Sequence, residues 1–381
     1  MDRSSITALS NEVAESRFVN IDSVTGIHVP DLAEPIIDGV LRRGHMMMIA
    51  GPPKAGKTWS MVQLAYAVAT GNRWMGFQCH MGRVAYVDTE LDHNSLYNRF
   101  DNVRAAMGLS DSGGNLNAWS LRGIDMSAED VADEIEKAYA EPPDLVIIDS
   151  IYSLETGDEN SAGDMRGMLK QLARITSRGT AVTFAHHHAK GNAGARNVID
   201  RGSGSGVFGR FVDAMVDLTP IVPNEDQAAR LVEEYGERAV PMRMSFVLRE
   251  FADPGNRSIV FRYPLLRDIT GGYMDGAPEA GSAEAARMKG GESNRRRNDR
   301  RWGHIDESIG RAVNQCMLEG VPPTRQNVAD RMTMDGSEVT IDNVRRWTRK
   351  EAATKWRARK DGSEWVVYCT DESWSTDAHE T

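Results

Sequence analysis

The chain has 381 residues, of which 40% are hydrophobic and 26% charged, values typical of a globular protein with one large and one small domain. No apolar run approaches the roughly 20 residues that a membrane-spanning helix requires, and residues 1–18 lack the apolar core of a signal peptide. The three cysteines are far apart and fit neither a disulfide framework nor a zinc site, so we expect a cytoplasmic protein without a membrane partner.

The net charge of −10 is unevenly distributed along the chain. Residues 295–360 contain 16 Lys and Arg against nine Asp and Glu, so this segment is basic and the remainder is strongly acidic. Such asymmetry favours a module that faces nucleic acid on an otherwise acidic protein. A basic surface that is merely solvated is the alternative.

Residues 1–27 are polar and predict a flexible lead. From residue 28 to 270, apolar and amphipathic segments alternate, which predicts an α/β fold whose mostly parallel sheet has helices on both faces. The predicted strands are residues 46–50, 83–88, 117–120, 144–148, 180–185 and 214–219. The predicted helices are residues 58–70, 95–107, 128–140 and 162–177. Residues 242–251 and 258–263 predict an antiparallel hairpin at the edge of the sheet.

The remaining chain predicts a linker and a small second domain. Residues 271–300 are rich in Gly, Ala, Ser and charge and predict a disordered linker with a basic end. Three short helices at 305–319, 324–332 and 340–351, with a hairpin at 355–360 and 364–369, predict a winged helix-turn-helix over residues 301–370. Residues 371–381 predict a loose acidic tail.

Residues 51–58, Gly-Pro-Pro-Lys-Ala-Gly-Lys-Thr, fit the phosphate-binding pattern G-x-x-x-x-G-K-[ST]. They lie between a predicted strand and a predicted helix, the context in which backbone N–H groups and a helix N-terminus surround phosphates. Lys57 is expected to reach the β- and γ-phosphates of ATP, and Thr58 to hold Mg²⁺. The predicted nucleotide-binding residues are Gly51, Lys54, Ala55, Gly56, Lys57, Thr58 and Trp59.

Two acidic residues that follow strands are candidates for the chemistry of hydrolysis. Asp149 ends the apolar run at 145–148, the Walker B arrangement in which a carboxylate orients Mg²⁺. Glu90 follows the strand at 83–88, which we expect to lie beside the phosphate-loop strand, and is our choice for activating the attacking water. Asp88 and Asp92 compete for that role, and Glu90 alternatively caps the next helix.

A series of segments carries a resemblance to a known family. The segments are residues 36–44 (IIDGVLRRG), 86–90 (YVDTE) with Arg99, 149–150 (DS), 157–160 (GDEN), 183–190 (TFAHHHAK) and 201–203 (RGS). In this order, over residues 28–270, they resemble the RecA-like ATPases of the RepA type, the hexameric replicative helicases of plasmids and mobile elements. The resemblance implies ATP and Mg²⁺ as cofactors, and a homo-oligomeric ring, expected to be a hexamer.

The resemblance also implies roles for particular residues. It supports Glu90 as the catalytic base and gives His186 and His187 the task of sensing the γ-phosphate. It implies an arginine that reaches the neighbouring subunit's site, with Arg201 ahead of Arg210. The Gly-rich segment 190–206 is expected to grip single-stranded DNA, through Lys190 and Arg196 and alternatively through Arg201.

In the predicted winged helix, residues 340–350 form the helix that enters the major groove of duplex DNA. Residues 341, 344 and 348 are expected to pack inward. Arg346 is the candidate for a guanine contact and Asn343 for an adenine contact, and Arg349 is expected to face outward towards nucleic acid. The predicted phosphate contacts are Lys355 and Arg357. A module for protein contacts or oligomer closure is the alternative.

Three functions fit the sequence. The first is an ATP-driven translocase or helicase on single-stranded DNA, acting in replication of a plasmid or mobile element. The second is an ATP-switched initiator or regulator whose winged helix binds duplex DNA. The third is an ATPase that serves a protein partner. The basic C-terminal segment and the Gly-rich loop favour the first two.

Overall fold

The computed structural model describes residues 21–24, 29, 31–154, 162–188, 211–334 and 337–371. The chain divides into two compact units, Met1–Ala285 and Ala286–Thr381. Within the described residues, none of the helices is both long enough and apolar enough to cross a bilayer.

The first unit contains helices and strands in alternation. Its helices are α1 (Ile21–Val24), α2 (Lys57–Thr70), α3 (His93–Ala106), α4 (Ala128–Ala138), α5 (Ala162–Thr176) and α6 (Glu225–Tyr235), with a 3₁₀ turn at Ile151–Leu154. Its strands are β1 (Pro35–Ile37), β2 (Leu41–Arg42), β3 (Met46–Gly51), β4 (Arg73–Trp74), β5 (Phe77–Gln78), β6 (Val84–Asp88), β7 (Leu116–Ser120), β8 (Leu145–Asp149), β9 (Ala181–His187), β10 (Ala214–Pro220), β11 (Val240–Leu248), β12 (Arg257–Arg262) and β13 (Leu265–Asp268).

The predicted mostly parallel sheet is confirmed. Nine strands form it in the order β13-β12-β11-β10-β3-β9-β8-β6-β7. Six neighbouring strands run parallel to one another: β10, β3, β9, β8, β6 and β7. Strands β11, β12 and β13 extend the sheet beyond β10 by antiparallel pairing. The expectation that β6 lies beside the phosphate-loop strand β3 is wrong, because β9 and β8 lie between them. The predicted hairpin of β11 and β12 forms, but β13 is the edge strand.

Apolar residues on both faces of the parallel strands create two core clusters. In β3, Met47 and Ile49 pack on the side of α2, while Met46, Met48 and Ala50 pack on the side of α4 and α5. This alternation follows from the period of two in a strand that is covered on both faces. The nucleotide loop therefore leaves a strand that is fixed from both sides.

Side-chain caps explain where several helices begin. Ser127 and Asp130 form a capping box at α4, and Asn224 and Gln227 form another at α6. The sequence prediction missed α6, although its capping box gives a readable signal. Asp92 caps α3 by accepting a hydrogen bond from the backbone N–H of Ser95.

The predicted linker at 271–300 is ordered in the structure. Ala280 N–H donates to Pro220 O at 2.7 Å, and Met274 and Ala277 are buried against Ile221. Residues 283–300 belong to the long helix α7 (Ala283–Leu318), of which the predicted 305–319 helix is the C-terminal part. Arg, Glu and Ala side chains favour that helix even though most of residues 286–300 bury little surface.

The second unit packs three helices and a hairpin around one core. After α7 come α8 (Arg325–Asp330), β14 (Thr333–Met334), β15 (Ser337–Glu338), α9 (Ile341–Trp347), β16 (Trp356–Asp361) and β17 (Glu364–Cys369). The predicted hairpin of β16 and β17 forms, and Val344, Trp347, Trp356 and Val367 are buried. The predicted inward position of Ile341 is wrong, because its side chain is 43% exposed in the first turn of α9.

Candidate nucleotide-binding site

The phosphate-binding loop joins β3 to α2 at the carboxyl edge of the sheet. Gly56 precedes the helix with φ 80°, a left-handed conformation that a side chain at this position would strain. A Cβ atom on Gly51 would approach the carbonyl oxygen of Leu218 to 3.0 Å, so a side chain there would require β10 to shift by a few tenths of an ångström. Lys54 also has a positive φ of 66°. The described first turn of α2 contains no acidic residue, which leaves its positive end available to an anion.

The ammonium of Lys57 lies inside this loop. It donates to the carbonyl oxygens of Gly51 at 2.7 Å and Pro52 at 3.1 Å, and it lies 3.0 Å from Nδ1 of His187. Burial lowers the pKa of Lys57 to about 8, while Asp149 and Glu90 act to raise it. A phosphate group would compete for this ammonium with acceptors from the loop's own backbone.

Asp149, at the end of β8, lies close to Thr58. The Thr58 hydroxyl is near enough to the Asp149 carboxylate to lower its pKa, and the Tyr86 hydroxyl donates to Asp149 Oδ2 at 3.0 Å. Burial raises the pKa of Asp149 to about 7, with Thr58 and Tyr86 acting to lower it. A hydroxyl and a carboxylate beside the phosphate loop are the oxygen donors that Mg²⁺ prefers, so this pair fits that ion.

Glu90 stands at the same edge and is exposed to solvent. Its Oε1 accepts a hydrogen bond from the Ser150 hydroxyl at 2.8 Å, which ties it to the residue after Asp149. Thr89 joins the two strand ends, since its N–H donates to Asp149 O at 2.8 Å and its hydroxyl to Ser150 O at 3.0 Å. The ends of β6 and β8 therefore hold Glu90 and Asp149 together.

The two competitors of Glu90 have structural tasks. Asp88 is 1% exposed and its carboxylate accepts the backbone N–H groups of Glu90 at 2.9 Å and Leu91 at 2.6 Å. Asp92 caps α3, the task that the sequence alternatively gave to Glu90. Asp88 and Asp92 thus bind backbone N–H groups of their own segments, whereas Glu90 contacts Ser150 at the end of β8.

The histidine run at the end of β9 divides between two surroundings. His187 contacts Lys57, and its backbone N–H donates to the Tyr152 hydroxyl at 2.8 Å. The Tyr152 ring stacks on His187 at 5.3 Å between ring centroids. His186 is 5% exposed, and burial lowers its pKa to about 4. Of the two predicted sensors, His187 contacts the phosphate loop through Lys57.

The third histidine forms a buried pair that the sequence did not predict. His188 Nε2 lies 2.6 Å from Oδ1 of Asp217 on β10, and the Asp217 Oδ2 accepts the Thr219 hydroxyl at 2.8 Å. The His188 N–H also donates to Gly51 O at 3.3 Å, which links β9 to the start of the phosphate loop. Asp217, a carboxylate within an apolar strand, was the signal in the sequence for a buried polar contact. The sequence did not indicate His188 as its partner, because β9 and β10 are brought to either side of β3 only by the order of strands in the sheet.

Aromatic residues surround the first turn of α2 beside the loop. Trp59 makes an edge contact with Tyr263 at 4.9 Å between ring centroids, and Phe261 lies 6.4 Å away. The guanidinium of Arg99 lies 4.6 Å from the centre of the Trp59 ring. Phe261 lies in β12 and Tyr263 just after it, about 200 residues from the phosphate loop in sequence. The motif at residues 51–58 therefore gave no indication of them.

Several predicted residues lie outside this site. Lys190, Arg196, Arg201 and Arg210 fall outside the described residues.

In the second unit, Arg346 and Arg349 are exposed, whereas the Asn343 side chain completes the capping box of α9 with Thr340. The Arg357 guanidinium turns inward and donates to the carbonyl oxygens of Thr354, Trp356 and Ala352. These contacts occupy the Arg357 guanidinium and the Asn343 side-chain oxygen, and the DNA contacts of both residues stay predictions. Lys355 is half-buried, and its backbone N–H donates to Asp306 Oδ1 at 2.9 Å.

Three comparisons relate this chain to known proteins. Residues 10–193 match a family model described as an AAA domain, slightly less than half of the chain. The DNA repair and recombination protein RadB of Halobacterium salinarum, in strains R1 and NRC-1, is 28% identical over 148 residues, or 38% of this chain. The chain spans 58% of the length of these curated relatives. A crystal structure of the RadB recombinase has 16% identity and a TM-score of 0.41, covering 60% of this chain and 91% of its own. The family match includes the phosphate loop and the end of β9, so over residues 10–193 the chain is similar to AAA domains.

Proposed function

We propose that the protein is an ATP-hydrolysing, oligomeric motor that translocates on single-stranded DNA, in the replication of a plasmid or mobile element. The observation that carries the ATPase part is the convergence of Lys57, Thr58, Asp149 and Glu90 at one edge of the sheet. The DNA part is supported by the similarity to RadB, a DNA repair and recombination protein, and by the basic composition of the C-terminal segment.

In this proposal the residues divide the work of hydrolysis. Lys57 leaves the Gly51 and Pro52 carbonyl oxygens to contact the β- and γ-phosphates of ATP. Thr58 and Asp149 hold Mg²⁺, which neutralises charge on the phosphates when it is bound. Glu90, oriented by the Ser150 hydroxyl, accepts a proton from the attacking water.

His187 is the residue best placed to report the state of the γ-phosphate. Its ring lies 3.0 Å from the Lys57 ammonium, so any movement of that ammonium towards phosphate changes a direct contact of His187. The two next residues lead into the segment that we propose to contact DNA through Lys190 and Arg196. Arg201, with Arg210 as the alternative, is proposed to complete the site of a neighbouring subunit in a hexameric ring.

The test is steady-state ATP hydrolysis without DNA, with single-stranded DNA and with duplex DNA. We expect stimulation by single strands in the wild type and a loss of turnover of about 100-fold or more in Glu90→Gln, since removing a general base costs roughly 10² to 10⁴. ATP binding by Glu90→Gln should persist, which separates lost chemistry from lost folding. Turnover in the wild type that is identical in all three conditions would contradict the motor.

An ATP-switched initiator or regulator is the second candidate. It is favoured by the exposed side chains of Arg345 and Arg346 in α9 and of Arg349 and Lys350 just after it, and we propose α9 as the recognition helix of a winged helix-turn-helix. It predicts sequence-specific duplex binding that depends on Arg346 and slow hydrolysis indifferent to DNA. A duplex affinity that does not vary with DNA sequence would exclude it.

A further inference from the structure

An exposed indole lies against a cluster of arginines in the second unit. Trp365 on β17 is 44% exposed, and the guanidinium carbon of Arg325 lies 4.5 Å from the centre of its ring. Arg345 and Arg349 are close enough to lower the pKa of Arg325 further, after the larger effect of burial. We call Arg325, Arg345, Arg349 and Trp365 the arginine–tryptophan cluster.

The fold of the second unit produces this arrangement. The Val367 N–H donates to Pro323 O at 2.8 Å, and Thr324 forms an isolated bridge with Val366, so β17 is fixed to the residues that begin α8. Trp365 lies two residues from the buried Val367 and therefore shares its face of the strand. The indole is thus presented where α8 starts, next to Arg325.

The cluster lacks compensation by negative charge within the described part of the chain. There, none of the three arginines forms an ion pair, and the buried Nε of Arg325 has no hydrogen-bond partner. Arg331 on the same unit shows the ordinary arrangement, in which the guanidinium pairs with Glu319. Three like charges held together are unfavourable in the free protein, and a bound polyanion would relieve that repulsion.

We propose that the arginine–tryptophan cluster is a binding site for single-stranded nucleic acid, with the arginines on phosphates and Trp365 stacked on a base. Exposed aromatic rings beside positive charge are the combination that single strands require, since every base has a face that can stack. A continuous duplex keeps its base faces stacked on one another, so it can use the charges of the cluster but not the indole. The site is distinct from the ATPase site and does not require that DNA stimulates hydrolysis.

The structure offers a matched control on the same hairpin. Tyr368 is 41% exposed and lies near an arginine, with the Arg359 guanidinium 5.9 Å from its ring centre. Its odd spacing from Trp365 puts it on the opposite face of β17. Tyr368→Ala therefore removes an exposed aromatic ring of the same hairpin without touching the proposed site.

The experiment uses the full-length protein without nucleotide and a fluorescent oligo(dT) strand, read by anisotropy over a range of salt concentrations. We expect Trp365→Ala to weaken binding by roughly tenfold, the typical loss for one stacked base, and Trp365→Phe to restore most of it. Arg345→Gln should lower the slope of log affinity against log salt by about one. Tyr368→Ala should change the affinity by less than about twofold, the scale of an exposed substitution without a role.

A second readout identifies the contact directly. An oligonucleotide that carries 5-iododeoxyuridine, irradiated on the wild-type protein, should cross-link to Trp365, as read by mass spectrometry of the digested complex. Equal weakening by Trp365→Ala and Tyr368→Ala, or unchanged binding in Trp365→Ala, would overturn the proposal. So would competition by polyglutamate as strong as by oligo(dT), or a blunt duplex whose binding depends equally on Trp365.

This outcome is separable from that of the proposed motor. If single strands bind at Trp365 but leave ATP turnover unchanged, the motor fails and the binding site stands. If single strands stimulate turnover equally in the wild type and Trp365→Ala at every DNA concentration, the binding site fails and the motor stands.

Discussion

The histidine run shows how much a single residue's surroundings decide. His186, His187 and His188 are adjacent in sequence, yet one is buried beneath the edge, one contacts Lys57 and one pairs with Asp217. Alternation along a strand separates neighbours onto opposite faces, and the elements packed on each face then set the environment. Identical side chains therefore have different candidate roles in the same site.

Lys57 should make nucleotide affinity depend on pH. Burial lowers its pKa to about 8, and a phosphate contact favours the protonated form. Affinity for ATP should thus fall as pH rises above 8, by about tenfold from pH 7 to pH 9 if only the ammonium binds phosphate. Isothermal titration at both pH values measures this. Lys57→Arg stays charged over the range, so its affinity should not vary with pH, and an equal pH dependence in that variant would assign the effect elsewhere.

His186 should make the first unit less stable in acid. Its pKa is about 4 in the folded chain and 6.5 ordinarily, so the unfolded state binds its proton first as pH falls. The stabilisation is therefore present above pH 6.5 and is lost as pH falls towards 4. From these values we expect a loss of about 2 kcal/mol between pH 7 and pH 5. Asp149, with a pKa of about 7, shifts the stability of both proteins in the opposite direction and alike. Urea unfolding should therefore show that the change in unfolding free energy from pH 7 to pH 5 is more favourable in His186→Gln than in the wild type by about 2 kcal/mol, and an equal change in both would contradict the assignment.

At the scale of elements, helix α2 is the part on which the site depends. It begins at the phosphate loop, and further along it is hydrogen-bonded to β13, the edge strand of the sheet. The Gln63 side chain joins the two, donating to Leu266 O at 3.1 Å and accepting from Leu266 N–H at 3.1 Å. The antiparallel extension is thus part of the framework that orients the loop.

Replacing Gln63 by Leu should destabilise the first unit although the volume changes little. Gln63 is 8% exposed, so the two backbone groups of Leu266 would lose this partner in a buried place. Each such loss costs about 1–3 kcal/mol, and we expect about 2–4 kcal/mol in total. Denaturant unfolding measures it. Ser127→Ala, which removes an exposed cap, calibrates the measurement at about 1 kcal/mol, and a Gln63→Leu effect below that value would contradict the role.

At the scale of the whole molecule, each of the two units has its own hydrophobic core. The clusters around β3 belong to the first unit, and the cluster around Val344, Trp347 and Trp356 belongs to the second. The nucleotide site and the arginine–tryptophan cluster are therefore built on separate cores. Each site can be disabled by a substitution in its own unit.

Calorimetry should resolve two unfolding transitions. Mg²⁺ with a non-hydrolysable ATP analogue should raise the midpoint of the first unit's transition, because a ligand stabilises the state it binds. Trp356 is 1% exposed, so Trp356→Ala should lower the free energy of unfolding of the second unit by about 3–5 kcal/mol. The stabilisation of the first unit by the ligand should be unchanged. A single transition that responds to both changes would show that the units unfold together.

The sequence by itself determined the local features of this protein. The phosphate loop, Asp149, Glu90 and most strands and helices of the first unit were predictable, because short motifs, caps and apolar periodicity act within a few residues. The tertiary structure decided which distant residues meet. It placed β9 and β8 between β3 and β6, brought His187 to Lys57 across 130 residues, and paired His188 with Asp217. It also turned Arg357 inward, placed Arg325 against Trp365, and brought Arg345 and Arg349 near enough to Arg325 to lower its pKa. Strand order and side-chain partners depend on long-range packing, which no short window of sequence contains.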